Sequence, residues 1–115
     1  MIKVYNKKIQ INNKSIIFDT TIKKIIYFSD IFVVLIRENK EIPNNIIAYN
    51  YYGNEVWKIN DIVCAKVLRG YDNIIKKSEN VLVAYCELGI IFEIDIFKKI
   101  FFINICLIFL WQFYF

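Results

Sequence analysis

The sequence predicts an all-β fold, an antiparallel meander of about nine strands in two blade-like sheets, followed by an apolar C-terminal tail. Three observations carry this. Residues 46–59 read IIAYNYYGNEVWKI and residues 82–94 read LVAYCELGIIFEI, so that Ala48, Tyr49 and Gly53 match Ala84, Tyr85 and Gly89 at a spacing of 36. With one residue dropped after the second glycine, Trp57 falls on Phe92 and Ile59 on Ile94. Each copy is an apolar run rich in β-branched and aromatic residues, a polar turn ending in glycine, and a second such run, which is the pattern of a hairpin. Repetition at this spacing marks one supersecondary unit that buries its apolar face against its neighbours. The second observation is that turn signals recur about every eight to twelve residues up to Asp95, as in sandwiches and other meanders. The third is composition. Apolar residues make up 57% of the 115 positions and aromatics 17%, enough to bury a core against the entropy of ordering the chain.

The elements follow in order. Residues 2–5 and 8–11 flank Asn6 and Lys7, and residues 15–18 follow Asn12-Asn13-Lys14. Asparagine tolerates the positive φ of such turns best after glycine. Residues 22–28 and 31–37 are divided by Ser29-Asp30. The second of these, IFVVLIR, is nearly continuous in apolar residues and too short for most helices, so it reads as a strand buried on both faces. Residues 38–45 hold Pro43 and form the clearest loop. Residues 60–72 carry helix-like spacing at Ile62, Val63, Val67 and Leu68, but Gly70 limits any helix to about two turns. Residues 73–76 and 81–86 flank the next turn, and the second repeat hairpin closes at Asp95. Gly53 and Gly89 are both expected in turns at positive φ, where valine in place of Gly53 costs roughly 1–3 kcal/mol. The same change at a solvated lysine such as Lys14 is expected to cost little.

The blocks 22–59 and 62–94 each have the length of a four-stranded unit, arranged as propeller blades or as a sandwich. The hairpin IIAYNYYGNEVWKI resembles the quinoprotein-type β-propeller repeat, with its apolar-Tyr-Ala strand, glycine turn and tryptophan strand. The order here is Ala48-Tyr49, and the Asp-Ala-Thr turn of that family is absent. The resemblance implies a hairpin type and no quinone cofactor, because two blades cannot close the ring that holds one. The whole chain also resembles small bacterial proteins in which a Gly-Asn-x-x-Trp hairpin (Gly53 to Trp57) precedes a Tyr-x-x-x-Gly hairpin (Tyr85 to Gly89). Some of these look like immunity proteins of polymorphic toxin systems, which would imply a toxin as partner.

The domain is expected to span residues 1–95, with residues 96–115 as a separate apolar segment. From Ile100 onward the text reads IFFINICLIFLWQFYF, with Asn104 and Gln112 as its only polar side chains. Three readings stay open. As a membrane helix, 100–115 would span about 24 Å at ~1.5 Å per residue, short of the ~30 Å hydrocarbon core, with Lys98 and Lys99 suiting a cytoplasmic flank. As a single strand it would run ~50 Å, far beyond the usual length, and it would have to bend near Asn104 to cover the meander as part of the core. As the product of a slipped reading frame in AT-rich DNA, it would be a non-native end.

The chemistry of most enzymes has no carrier here. The chain has no histidine, which removes Ser-His-Asp and Cys-His constellations and most zinc sites. Its three glycines, at 53, 70 and 89, make no phosphate-cradling loop. Cys64, Cys86 and Cys106 have neither disulfide-framework nor zinc-knuckle spacing, and a reducing cytoplasm is the expected compartment. The acidic pairs Glu87/Glu93 and Glu38/Glu41 read as solvated surface. No catalytic residue, cofactor or metal is expected, and the protein is not expected to be an enzyme. The net charge of +4 is uneven: residues 1–24 carry six lysines against Asp19, and residues 25–95 carry seven basic and ten acidic side chains. Lys3, Tyr5, Lys7, Lys8 and Lys14 are a thin version of the basic and aromatic mixture that binds nucleic acid. Edge-strand protection accounts for the lysines equally well.

The expected function is therefore a cytoplasmic, non-enzymatic protein-binding module, acting by self-association or as an immunity protein. A membrane-tethered β protein anchored through 100–115 is the first alternative, and a weak nucleic-acid binder is the second. The candidate partner-binding residues are Tyr49, Tyr51, Trp57 and Tyr85, weighed against plain core packing for the same aromatics.

Overall fold

A computed structural model describes residues 2–38, 44–63, 70–86 and 89–105, with residues 104 and 105 described in their backbone alone. Eleven strands and one short helix lie among the described residues: β1 (Ile2–Val4), β2 (Lys8–Ile11), β3 (Lys14–Ile17), β4 (Ile22–Tyr27), β5 (Ile31–Ile36), β6 (Ile46–Asn50), β7 (Glu55–Lys58), α1 (Ile59–Ile62), β8 (Tyr71–Ser78), β9 (Val81–Cys86), β10 (Ile90–Asp95) and β11 (Ile100–Ile105). They form three antiparallel sheets, β1-β2-β3, β4-β5-β6-β7 and β11-β10-β9-β8. The all-β meander of the sequence reading is thus the fold, with the N-terminal strands separating as a sheet of their own.

The middle sheet is the spine, and the reason is written in β5. Ile31, Val33 and Leu35 point to one face and Phe32 and Val34 to the other, and all five are buried. In β6, Ile46 and Ala48 take the first face, Ile47 and Tyr49 the second. A strand apolar at every position must have a neighbour on both sides. On one side the first sheet supplies it, with Ile9, Ile11 and Phe18 packed against Phe32, Val34, Ile47 and Tyr49. On the other side Tyr71, Ile74, Leu82, Ala84, Phe92 and Ile94 of the third sheet complete the larger core.

The repeat is visible in the pairing. Ala48 sits opposite Trp57 across β6 and β7, and Ala84 opposite Phe92 across β9 and β10. In each hairpin a small residue thus makes room for the aromatic beside it. The residue dropped from the second copy is also accounted for. A bulge between Ala48 and Tyr49 shifts the register so that Tyr49 faces Glu55, whereas Tyr85 faces Ile91 without a shift. The equivalent faces of the two hairpins, Ile46/Ala48/Trp57 and Leu82/Ala84/Phe92, meet in the same core. Ring-stacked blades set unlike faces together, so the arrangement here is the sandwich.

Two expectations are corrected. The second block does not make a four-stranded unit by residue 94: only β8, β9 and β10 lie within it, and β11 from the apolar tail completes the sheet. The boundary at residue 95 therefore falls inside a sheet. Asp95 makes the turn that delivers β11, accepting hydrogen bonds on its carboxylate from the N–H groups of Phe97 (3.1 Å) and Lys98 (2.9 Å), with Lys99 at φ 55°. The undecided stretch 60–72 contains one described helical turn, α1, where Asp61 accepts from the Lys58 N–H at 3.0 Å. Val67 and Leu68 lie outside the described residues.

Among the described residues one polar side chain, Asn45, is buried between the middle and third sheets. Its amide donates to the carbonyls of Ile36 and Tyr71, both at 2.9 Å, and its oxygen accepts the Tyr71 N–H at 2.9 Å. The side chain therefore does for Tyr71 what a neighbouring strand would do. A buried orphan on each lost partner costs about 1–3 kcal/mol. Gly70 is held beside it by a hydrogen bond from its N–H to Glu38 at 2.6 Å. A Cβ there would lie 2.7 Å from the Glu38 Cβ, so the close approach favours glycine. Along the rim, Lys23 donates to the Asp72 carbonyl, Lys24 to the Asn73 side chain and Lys76 back to the Tyr27 carbonyl.

Gly53 and Gly89 sit at φ 86° and 77°, in the positive-φ turns the repeat predicts. Lys14 proves not to be an independent solvated comparator. Its ammonium donates to Asn54 at 2.6 Å, and its stem would lie 3.1 Å from a Cβ on Gly53. Lys3, exposed on β1, is the better control. Gly53→Val should lower stability by roughly 1–3 kcal/mol in denaturant melts, while Lys3→Val changes it by less than about 0.5 kcal/mol. Equal effects would mean that the turn is not strained.

Candidate interaction surface

The two ends of the stack differ in chemistry. By strand alternation the first sheet turns Lys3, Lys8, Gln10 and Ser15 outward, a polar surface broken by Ile17, which is 78% exposed. A polar outer face is what a terminal layer needs in water. The third sheet turns Leu82, Ala84, Phe92 and Ile94 toward the core. Its opposite face therefore carries the alternate residues, in cross-strand rows Ile75–Val83–Glu93–Phe102 and Asn73–Tyr85–Ile91. Lys77 and Glu93 form an ion pair there at 2.5 Å, so the face carries little net charge and much apolar area. No described element packs on it.

At the β11 margin this surface continues around the edge. Phe102 is 62% exposed, Ile103 52%, and Ile100 and Phe97 46% each. Phe101 alone of the strand's aromatics reaches the core, edge-on to Phe92 at 5.9 Å. The cause is geometric, since β11 extends the third sheet sideways on the side away from β8, the strand that touches β4 and β5. Large apolar side chains grouped in this way are uncommon on a surface that meets only water.

The candidate residues separate accordingly. Tyr49 is 7% exposed, stacked on Phe32 at 5.7 Å and edge-on to Phe18 at 6.0 Å. Trp57 is 3% exposed on the opposite face. A partner has no access to either, and their place on a binding rim is corrected to the two cores. Tyr51 is half-buried and donates its hydroxyl to the Phe28 carbonyl, a strut between turns. Tyr85 is the one candidate on the outer face, half-buried beside Ile91. The candidates thus do not converge on one site. Sequence reasoning missed Phe97, Ile100, Phe102 and Ile103. For Ile100, Phe102 and Ile103 the signal was the uncharged run after Lys99, for which a strand was one of three open readings.

Other groupings are less organised. A shallow groove of about 550 Å³ is lined by Val4, Tyr5, Lys23, Lys24, Ile25 and Tyr27, but both of its lysines donate to β8. In the N-terminal basic cluster Lys8 lies over the Tyr5 ring at 4.7 Å and Lys14 is tied to Asn54. Of the acidic pairs, Glu93 is paired with Lys77 and Glu38 with Gly70, while Glu41 and Glu87 lie outside the described residues. Among the described residues no group of His, Cys, Asp and Glu is arranged to hold a metal. Cys86 is buried in the larger core with its sulfur 3.9 Å from the Gly70 carbonyl.

Burial leaves one pH signature. Burial, aided by Glu55, pushes the Tyr49 hydroxyl up to about 12. Burial, then Cys86, pushes Tyr71 up as well, and its hydroxyl has no hydrogen-bond partner among the described residues. A folded-state pKa above the unfolded value of ~10 contributes stability that is complete below pH ~10 and lost as pH rises through the folded value. Unfolding free energy should therefore fall between about pH 10 and 12, with the two phenols ionising only as the fold opens. A Tyr49→Phe, Tyr71→Phe double variant should flatten that alkaline limb. An unchanged limb would contradict the assignment.

Comparison with curated proteins and with solved structures gives no match. One family model does match, over residues 1–98, from the first sheet through the turn before β11. The chain belongs to that family, the Domain of unknown function (DUF7957).

Proposed function

We propose that the chain is a non-enzymatic protein-binding module whose binding face is the outer face of the third sheet. The observation that carries this is the contrast between the two ends of the stack, one finished with lysine and glutamine, the other presenting Ile75, Tyr85, Ile91 and Phe102. The partner this face fits is a globular protein with an apolar patch. Asp72 and Glu79, on β8 and in the turn after it, are exposed and favour a basic rim on that protein. A bacterial nuclease toxin has this chemistry, and neutralising one by occlusion is the specific role proposed, in the cytoplasm.

The membrane reading has less support. Residues 100–105 pair with β10 as a strand. No described helix is long and apolar enough to cross a membrane. Nucleic-acid binding rests on Lys3, Lys7, Lys8 and Lys14, of which Lys8 already lies over the Tyr5 ring and Lys14 is tied to Asn54.

The test is co-expression of the full chain with the product of the gene adjoining its own. The wild-type chain should co-purify with that product and relieve its growth arrest. Tyr85→Lys with Ile91→Lys should weaken binding by about 100-fold or more, and Ile17→Lys on the first sheet should not. Growth arrest that the wild-type chain does not relieve contradicts the immunity role. Binding that survives the double lysine variant contradicts the location.

A further inference from the structure

Six strands end a sheet among the described residues, and five of them are protected against pairing with another chain. β1 has three residues and β3 four, each with a lysine. β4 carries Lys23 and Lys24 and a register shift between Ile22 and Lys24. β7 carries Glu55 and Lys58 beside a bulge. β8 carries Asp72, Lys76 and Lys77 and is interrupted twice. Charge, bulges and shortness are the means by which edges avoid each other. β11 has none of them. Its six residues, IFFINI, pair with β10 in unbroken register and contain no charge and no proline. On its free side every second residue directs its N–H and C=O away from β10.

We infer that β11 is a dimerisation edge, at which a second copy of this chain adds its own β11 antiparallel to form one eight-stranded sheet. The argument for a second copy is electrostatic and geometric. A two-fold axis perpendicular to the sheet sets each residue against its counterpart at a fixed sum of positions, so any charge near the axis meets its own copy. At β4 or β8 that would oppose lysines, whereas at β11 nothing is opposed. With the axis at Phe102, that ring faces its own copy and Phe101 faces Ile103 of the second copy. Lys98 and Lys99 then lie at opposite ends of the ladder. The pairing is isologous and closes at two.

The chain's own continuation is the other candidate for this edge. Residues 106–115 lie outside the described residues, and an edge paired within the chain would leave the wild-type chain monomeric. The family match ends at Lys98, before β11. The last strand within it, β10, carries Glu93 and Asp95, so a sheet ending there would have a protected edge. The inference goes beyond the protein-binding reading, because a dimer made through the edge shares only Phe102 with the outer face and leaves Ile75, Tyr85 and Ile91 free, so either can fail without the other.

Sedimentation velocity on the full chain, over a concentration series up to about 100 μM, tests it by mass action. The wild-type chain should be a closed dimer. Phe102→Lys, at a side chain that is 62% exposed in the monomer, should raise the dimer dissociation constant by about 100-fold or more. Ile17→Lys should leave it unchanged, and circular dichroism should match wild type in both. A wild-type chain that stays monomeric overturns the inference, as do open-ended aggregates in its place. So does a dimer that Phe102→Lys does not weaken. Toxin capture by a monomeric wild-type chain would overturn the dimer and leave the proposed function standing.

Discussion

The structure depends on one constraint: β5 and β6 are apolar at nearly every position, so the middle sheet must be covered on both faces. Ile31, Val33 and Leu35 cannot be satisfied by the same layer as Phe32 and Val34, because successive side chains in a strand leave in opposite directions. This constraint calls for two further sheets. The N-terminal strands, too short to stand alone, become a lid on one face. The third sheet covers the other face and in doing so exposes a far side of its own.

The buried amide and the rim lysines of this apolar stack stand where strand pairing is missing. Asn45 gives Tyr71 both halves of a backbone-like pair, and the lysines of β4 and β8 exchange hydrogen bonds across the rim. These contacts fix how the middle and third sheets sit on one another. Hydrophobic packing alone, being non-directional, would leave that geometry loose. The paired side chain of Asn45 also explains how an amide survives in this core.

Much of this was legible in the amino-acid order. The double burial of β5 followed from an apolar run without alternation. The two hairpins followed from Ala-Tyr, glycine and a returning aromatic, down to the residue that the bulge beside Tyr49 accounts for. Layering was not legible, because packing between segments distant in sequence decides whether residues 2–17 share a sheet with β4 and β5. For the same reason Tyr49 and Tyr85, each following the alanine of its repeat, differ in fate: the first sheet covers Tyr49, and no described element covers Tyr85. β11 was one of three readings that its composition left open. An uncharged run without alternation has no period to distinguish strand from helix, and the feature that makes it a strand is the Asp95 turn before it.

Native-state hydrogen exchange on the full chain tests the central claim most directly, because it reads which strands open only when everything opens. If the middle sheet is the spine, the hydrogen-bonded amides of β5 and β6, between Val33 and Leu35 and around Ala48, exchange slowest and at the global unfolding free energy. Those of β1 to β3 should exchange faster, through undocking of the first sheet. Equal protection of the first and middle sheets, or faster exchange in β5 than in β2, would contradict a fold built around a sheet buried on both faces.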